Sequence, residues 1–334
     1  MSTCSEQAGF ALLPWQEAIW QRLWQTHCSQ RLPHGLLFTG QPGMGKRHFA
    51  RCLAQALFCQ QPGGRGVPCG QCRSCRQFVA GTYPDYYLIE PDQDAKTQDI
   101  KVDAIRELIE RGVLTSSSGG QKVILIAPAD HMNIAAANSL LKTLEEPVSS
   151  TLLILVTSQP HRLPATVRSR CQRSEFSADR IQAGAWLARH TQHPQPELLL
   201  DLASGAPLTA LALAQPQVLQ ERATMLAEFR DCLRGRADPV AVAERWSQLE
   251  SLRVLSWISG WLLDMLRLRH SPRTPLFNSD QRDAMGDLAR QVDPKRLYRL
   301  LDEVLAGRRE ATSTLNKQLM LEGILTTWVE CRRH

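Results

Sequence analysis

Residues 35–50 read GLLFTGQPGMGKRHFA, and three local signals meet in them. Gly35-Leu-Leu-Phe-Thr39 is a short apolar run that reads as a buried strand. The residues that follow nearly complete the phosphate-loop pattern G-x-x-x-x-G-K-[ST], with Gly40, Gly45 and Lys46 in its glycine and lysine places. Arg47 to Phe58 continues as a helix. Strand, glycine-rich loop and helix, in that order, are the context in which such a loop cradles phosphates. The last place of the pattern should carry a hydroxyl, and here it carries Arg47.

Working outward, Tyr86–Ile89 and Val123–Ile126 read as further strands, flanking a helix that starts near Val102 and a link, SSSGGQ, at Ser116–Gln121. Ala135–Glu145 favours helix and is stopped by Pro147, and TLLILV at 151–156 suits a central parallel strand covered on both faces. Pro14–Cys28 reads as an amphipathic helix. Strands alternating with helices point to an α/β fold, a doubly wound parallel sheet with the glycine loop at its carboxyl edge. After about Phe176 only helices are expected, at 181–190, 196–203, 218–234, 240–269, 279–291, 294–306 and 315–331. The 334 residues allow two or three domains, and 43% hydrophobic with 22% charged residues is ordinary for a globular protein. No apolar run approaches the roughly 20 residues of a membrane span, and the start, MSTCSEQAGF, lacks a secretory pattern. A net charge of +6 permits a polyanionic partner without requiring one.

Cys59, Cys69, Cys72 and Cys75 stand as C-x9-C-x2-C-x2-C. Two-residue gaps let adjacent thiolates face one ion, and Gly63, Gly64, Gly66 and Gly70 permit the tight backbone this needs. In the cytoplasmic setting that a leaderless start suggests, such a cluster means metal before disulfides. Four thiolates close the tetrahedral shell of Zn²⁺ and make a structural site; an iron–sulfur cluster is the competing occupant.

AAANSLLKTLEEP at Ala135–Pro147, with the cysteine knuckle, GTYPDYY at Gly81–Tyr87 and VRSRC at Val167–Cys171, resembles the AAA+ subunits of bacterial DNA polymerase III clamp loaders, and within them the delta-prime branch. The motifs cover residues from about 34 to 176; LNKQLMLEGIL at Leu315–Leu325 supports the match further on. The resemblance implies an AAA+ domain over 1–176 with the zinc knuckle at 59–75, a small helical lid over 177–216, and an all-α collar for oligomerisation over 217–334.

It also implies what the loop lacks. A working site holds Mg²⁺ with the loop hydroxyl and a strand-end aspartate. Arg47 has no acceptor atom, and the register of the shared helix puts Ala127 and Pro128 where active relatives carry Asp-Glu. ATP is therefore expected neither to be bound nor to be cleaved at Gly40, Gly45 and Lys46. Ser169-Arg170-Cys171 matches the motif whose arginine reaches the γ-phosphate of ATP on a neighbouring subunit, which makes Arg170 an arginine finger acting in trans. Lys101 and Arg106 resemble positions that face primed DNA. The implied partners are the gamma/tau and delta subunits, the sliding clamp indirectly, and primed DNA, at the replisome in the cytoplasm. Two other readings stand beside this one: an active motor subunit with an unusual metal site, and a metal redox or sensor protein built on the cysteines.

Overall fold

The computed structural model describes residues 10–91, 99–113, 121–146, 150–310 and 316–332. The link at 116–120, Pro147 and Leu315 lie outside them. The chain divides into two compact units, Met1–Ala183 and Gly184–His334.

In the first unit a 3₁₀ turn, Pro14–Gln16, leads into α1 (Glu17–Cys28). Then come β1 (Gly35–Thr39), α2 (Lys46–Phe58), α3 (Arg73–Val79), β2 (Tyr86–Ile89), α4 (Val102–Val113) and β3 (Lys122–Ile126). α5 (Ile134–Ser139), α6 (Leu141–Glu145), β4 (Thr151–Thr157), α7 (Ala165–Arg168) and β5 (Gln172–Glu175) complete it. The five strands form one sheet in the order β2-β3-β4-β1-β5, and every pairing is parallel. All residues of β1, β3 and β4 are buried, the signature of parallel strands covered on both faces. β5 reads Gln-Arg-Ser-Glu and buries only Ser174. Its polar alternation is why no strand was expected there. Phe38, Phe49 and Phe176 pack with ring centroids 5.0–5.4 Å apart, a geometry worth about 0.5–1.5 kcal/mol per pair beyond burial.

The single helix expected at 135–145 is two short helices meeting at Leu140. The Asn133 side chain caps the first, accepting from Ala136 N at 2.8 Å.

α8 (Arg180–His190) spans the boundary between the units. The second unit is helical throughout its described residues: α9 (Pro196–Leu202), α10 (Pro207–Leu213), α11 (Pro216–Leu233), α12 (Pro239–Ser247), α13 (Ser251–His270), α14 (Arg282–Gln291), α15 (Pro294–Glu310) and α16 (Lys317–Glu330). The expected helix at 240–269 is two, broken at 248–250, and α10 was not anticipated. Phe229 stacks on Trp328 at 4.1 Å, and the Trp328 indole donates to the Phe229 carbonyl. Asp264, fully buried, accepts from the Asn278 backbone and side chain at 2.7 and 2.8 Å; Asn278 in turn accepts from Arg222.

Candidate functional site

The sheet places the site. Residues that follow the carboxyl ends of the strands converge where the strand order reverses around β1, the place where open parallel sheets bind ligands. Gly40 follows β1, Glu90 follows β2, Ala127 follows β3, Ser158 follows β4 and Phe176 follows β5. Gly40 has φ +140°, and a Cβ there would lie 2.4 Å from the Phe176 carbonyl oxygen. No side chain fits between the loop and the end of β5, so the glycine is required whatever the loop holds.

Lys46 is buried, and its ammonium is turned into the loop. Nζ donates to Gly40 O at 2.6 Å, Gln41 O at 2.9 Å and Ser158 Oγ at 3.1 Å, which uses all three of its protons. Burial pushes its pKa down to about 8, opposed by the charge of Asp130. Asp130 is itself buried, and its Oδ1 accepts from Thr157 Oγ1 at 2.5 Å and Ser158 N at 3.2 Å. From the other side Trp15 and Gln16 donate to Met44 O, each at 3.0 Å, and Gln16 also donates to Gly45 O. The carbonyls of both ends of the loop are thus tied within the chain.

Arg47 turns toward Glu90: Nη2 donates to Oε2 at 2.9 Å, and Nη1 meets Oε1. Arg47 stands in the place where the loop pattern calls for a hydroxyl, and its guanidinium is clamped on a carboxylate fork instead. Ala127 is buried and Pro128 precedes a 3₁₀ turn, Ala129–His131; neither offers a metal ligand. Asp130, not expected at the site, is brought against Thr157 and Ser158 by that turn. Ser158 and Glu90 were also missed. Their signal in the sequence was position alone, the first residue after a strand.

The SRC turn lies just after α7. Ser169 Oγ and Arg170 Nη1 both donate to the Thr166 carbonyl, at 3.1 and 3.0 Å, satisfying an oxygen that the end of a helix leaves open. Arg170 Nη2 lies 2.5 Å from Glu145 Oε1, and both side chains remain substantially exposed, 36% and 50%. Cys171 is buried in the same core cluster as Leu144 and Val167. Of the basic residues nearby, Arg162 and Arg168 are exposed, and Arg173 is held by Thr39 Oγ1 and Glu175.

Cys59, Cys69, Cys72 and Cys75 come together with their sulfurs all within 4.8 Å of one another. Backbone N–H groups run around the set: Cys69 N donates to Cys59 Sγ and Cys72 N to Cys69 Sγ, both at 3.3 Å, and Cys75 N to Cys72 Sγ at 3.4 Å. These donors favour thiolates. The N–H groups of Cys72 and Gln71 bring Cys69 down to about 6. The set fits one tetrahedral ion with no further ligand. The loop is fastened to α1, where Trp20 donates to Arg65 O at 2.8 Å and the Trp24 ring lies 2.2 Å from where a Cβ on Gly66 would stand. Lys101 and Arg106, at the start of α4, are both exposed.

Family models agree along the chain. One described as "DNA polymerase III, delta subunit" matches residues 15–180, and one described as "DNA polymerase III, delta subunit, C terminal" matches residues 216–330. A DNA polymerase III subunit delta' from Pseudomonas aeruginosa is 35% identical over 325 residues, covering 95% of this chain and 97% of that protein. The Escherichia coli subunit delta' is 35% identical over 323 residues, covering 93% of each. A DNA polymerase III subunit tau from Salmonella typhimurium is 29% identical over 323 residues, which are 87% of this chain and 49% of that protein. By the cysteine knuckle, the SRC turn and a match at this identity over nearly its whole length, the chain belongs to the DNA polymerase III delta-prime subunit family.

Proposed function

We propose that the chain is a non-catalytic AAA+ subunit of the DNA polymerase III clamp loader, which completes a neighbour's ATPase site while its own phosphate loop stays closed. The observation that carries the closed loop is Lys46, whose three protons are spent on Gly40, Gln41 and Ser158. A nucleotide would have to displace these bonds, and Mg²⁺, which needs oxygen ligands, would find none on Arg47. In this reading residues 177–216 form the lid and 217–334 the collar that assembles with gamma/tau and delta subunits.

Arg170 is the group lent across the interface. Its guanidinium stays charged and presents a planar fork suited to phosphate oxygens. Charge that develops on a transferring phosphoryl group is stabilised by such an arginine, worth about 10³–10⁵ in rate. The knuckle at 59–75 holds Zn²⁺, which supplies a structural cross-link and no open coordination site. Lys101 and Arg106 lend charge to the phosphates of primed DNA inside the assembly, contacts that position without reading sequence.

The test is reconstitution with gamma/tau, delta, clamp and primed DNA. The purified chain should show no Mg²⁺-dependent ATP hydrolysis, and Arg170→Ala should lower the turnover of the complex by about 10³ or more. Hydrolysis by the chain alone, abolished by Lys46→Ala, would instead establish a motor subunit.

A further inference from the structure

We propose that Glu145 is a positioning residue for Arg170, holding the guanidinium in the pose from which it serves the neighbouring site. The inference rests on the reading of Arg170 as a finger acting in trans.

Glu145 is the last residue of α6, where a carboxylate faces the negative end of the helix dipole and gains nothing from it. Its compensating charge is the Arg170 guanidinium, at 2.5 Å. The two backbones are fixed by their neighbours in sequence. Leu144, preceding Glu145, and Cys171, following Arg170, are buried in one cluster. Between them lies Gly35, where a Cβ would stand 3.0 Å from Leu144 Cδ2 and 3.3 Å from the Arg170 carbonyl oxygen. The core therefore sets the separation of the pair while both side chains face outward.

Arg170 spends one N–H on Thr166 O and one on Glu145, and a guanidinium has five. Three N–H groups remain to meet a phosphate. Without Glu145 the long side chain is tethered at one point only and must be ordered anew in each encounter. An exposed ion pair adds little to folding stability, so its contribution belongs to pose.

The experiment uses the reconstituted complex with clamp and primed DNA, containing Glu145→Gln, Glu145→Asp, Arg170→Ala or the Glu145→Gln/Arg170→Ala double variant. Size-exclusion chromatography and urea midpoints verify assembly and folding. Glu145→Gln should lower kcat by about three- to tenfold, the range expected for freeing one long side chain. KM for ATP should stay unchanged, since the interaction acts in the transition state. Glu145→Asp, which keeps the charge, should recover part of the loss. In the Arg170→Ala background, Glu145→Gln should have no further effect. Wild-type turnover in Glu145→Gln, or a loss fully retained in the double variant, overturns the positioning role and leaves the finger standing. Wild-type turnover in Arg170→Ala overturns the finger and the proposal with it.

Discussion

Lys46 is the residue on which the phosphate loop turns. Its ammonium is desolvated, which lowers its pKa to about 8, against roughly 10.4 in an unfolded chain. Between those values the unfolded chain holds a proton that the folded chain has released, so stability rises as pH climbs through the window. Below it, the cost of burying the charge is fully present. Lys46→Met should abolish the rise, and urea midpoints of both proteins at about pH 7 and about pH 10 measure it. Parallel midpoints at the two pH values would mean that the lysine sits in water. The same residue shows what a motif hides. The pattern read from Gly40 to Arg47 identified the loop but not where the lysine points, because Ser158 lies 112 positions away in the chain.

At the scale of elements, β1, the loop and α2 were legible because a buried strand, glycines and a helix follow one another without interruption. The knuckle was legible from thiol spacing alone. β5 was not, since an edge strand that buries one side chain in four carries no apolar signal. Asp130 was not foreseen beside the loop because a 3₁₀ turn, invisible in periodicity, brings it to Thr157 and Ser158. The knuckle also makes a prediction. Metal bound to four thiolates is coupled to the folding of its loop, with apparent affinities of about 10–16 kcal/mol in zinc peptides. Native mass spectrometry should find one zinc per chain, and Cys72→Ser or strong chelation should lower the urea midpoint. Equal midpoints with and without the ion would show that the loop stands unaided.

The whole molecule consists of two units with separate cores, one around a parallel sheet and one entirely helical among its described residues. A chain built this way need not unfold in one step. Trp328 is fully buried against Phe229 in the second unit, and Trp328→Ala should cost about 3–5 kcal/mol there. Helix loss by circular dichroism should then begin at lower urea than zinc release, which reports the first unit. Coincident transitions in the variant would instead show one cooperative block. The switch in pattern near Phe176 foretold the change of architecture, whereas the break of the long helical stretch at 248–250 did not, because no proline or glycine marks it.

Trp20 and Trp24, stacked in parallel at 6.2 Å, are the two indoles against which the cysteine loop closes. Fluorescence from tryptophan is sensitive to the polarity around the ring, so this pair sits where ion capture would alter its light. Ion capture at the knuckle would then be read from the chain's own indoles, with no dye or label attached.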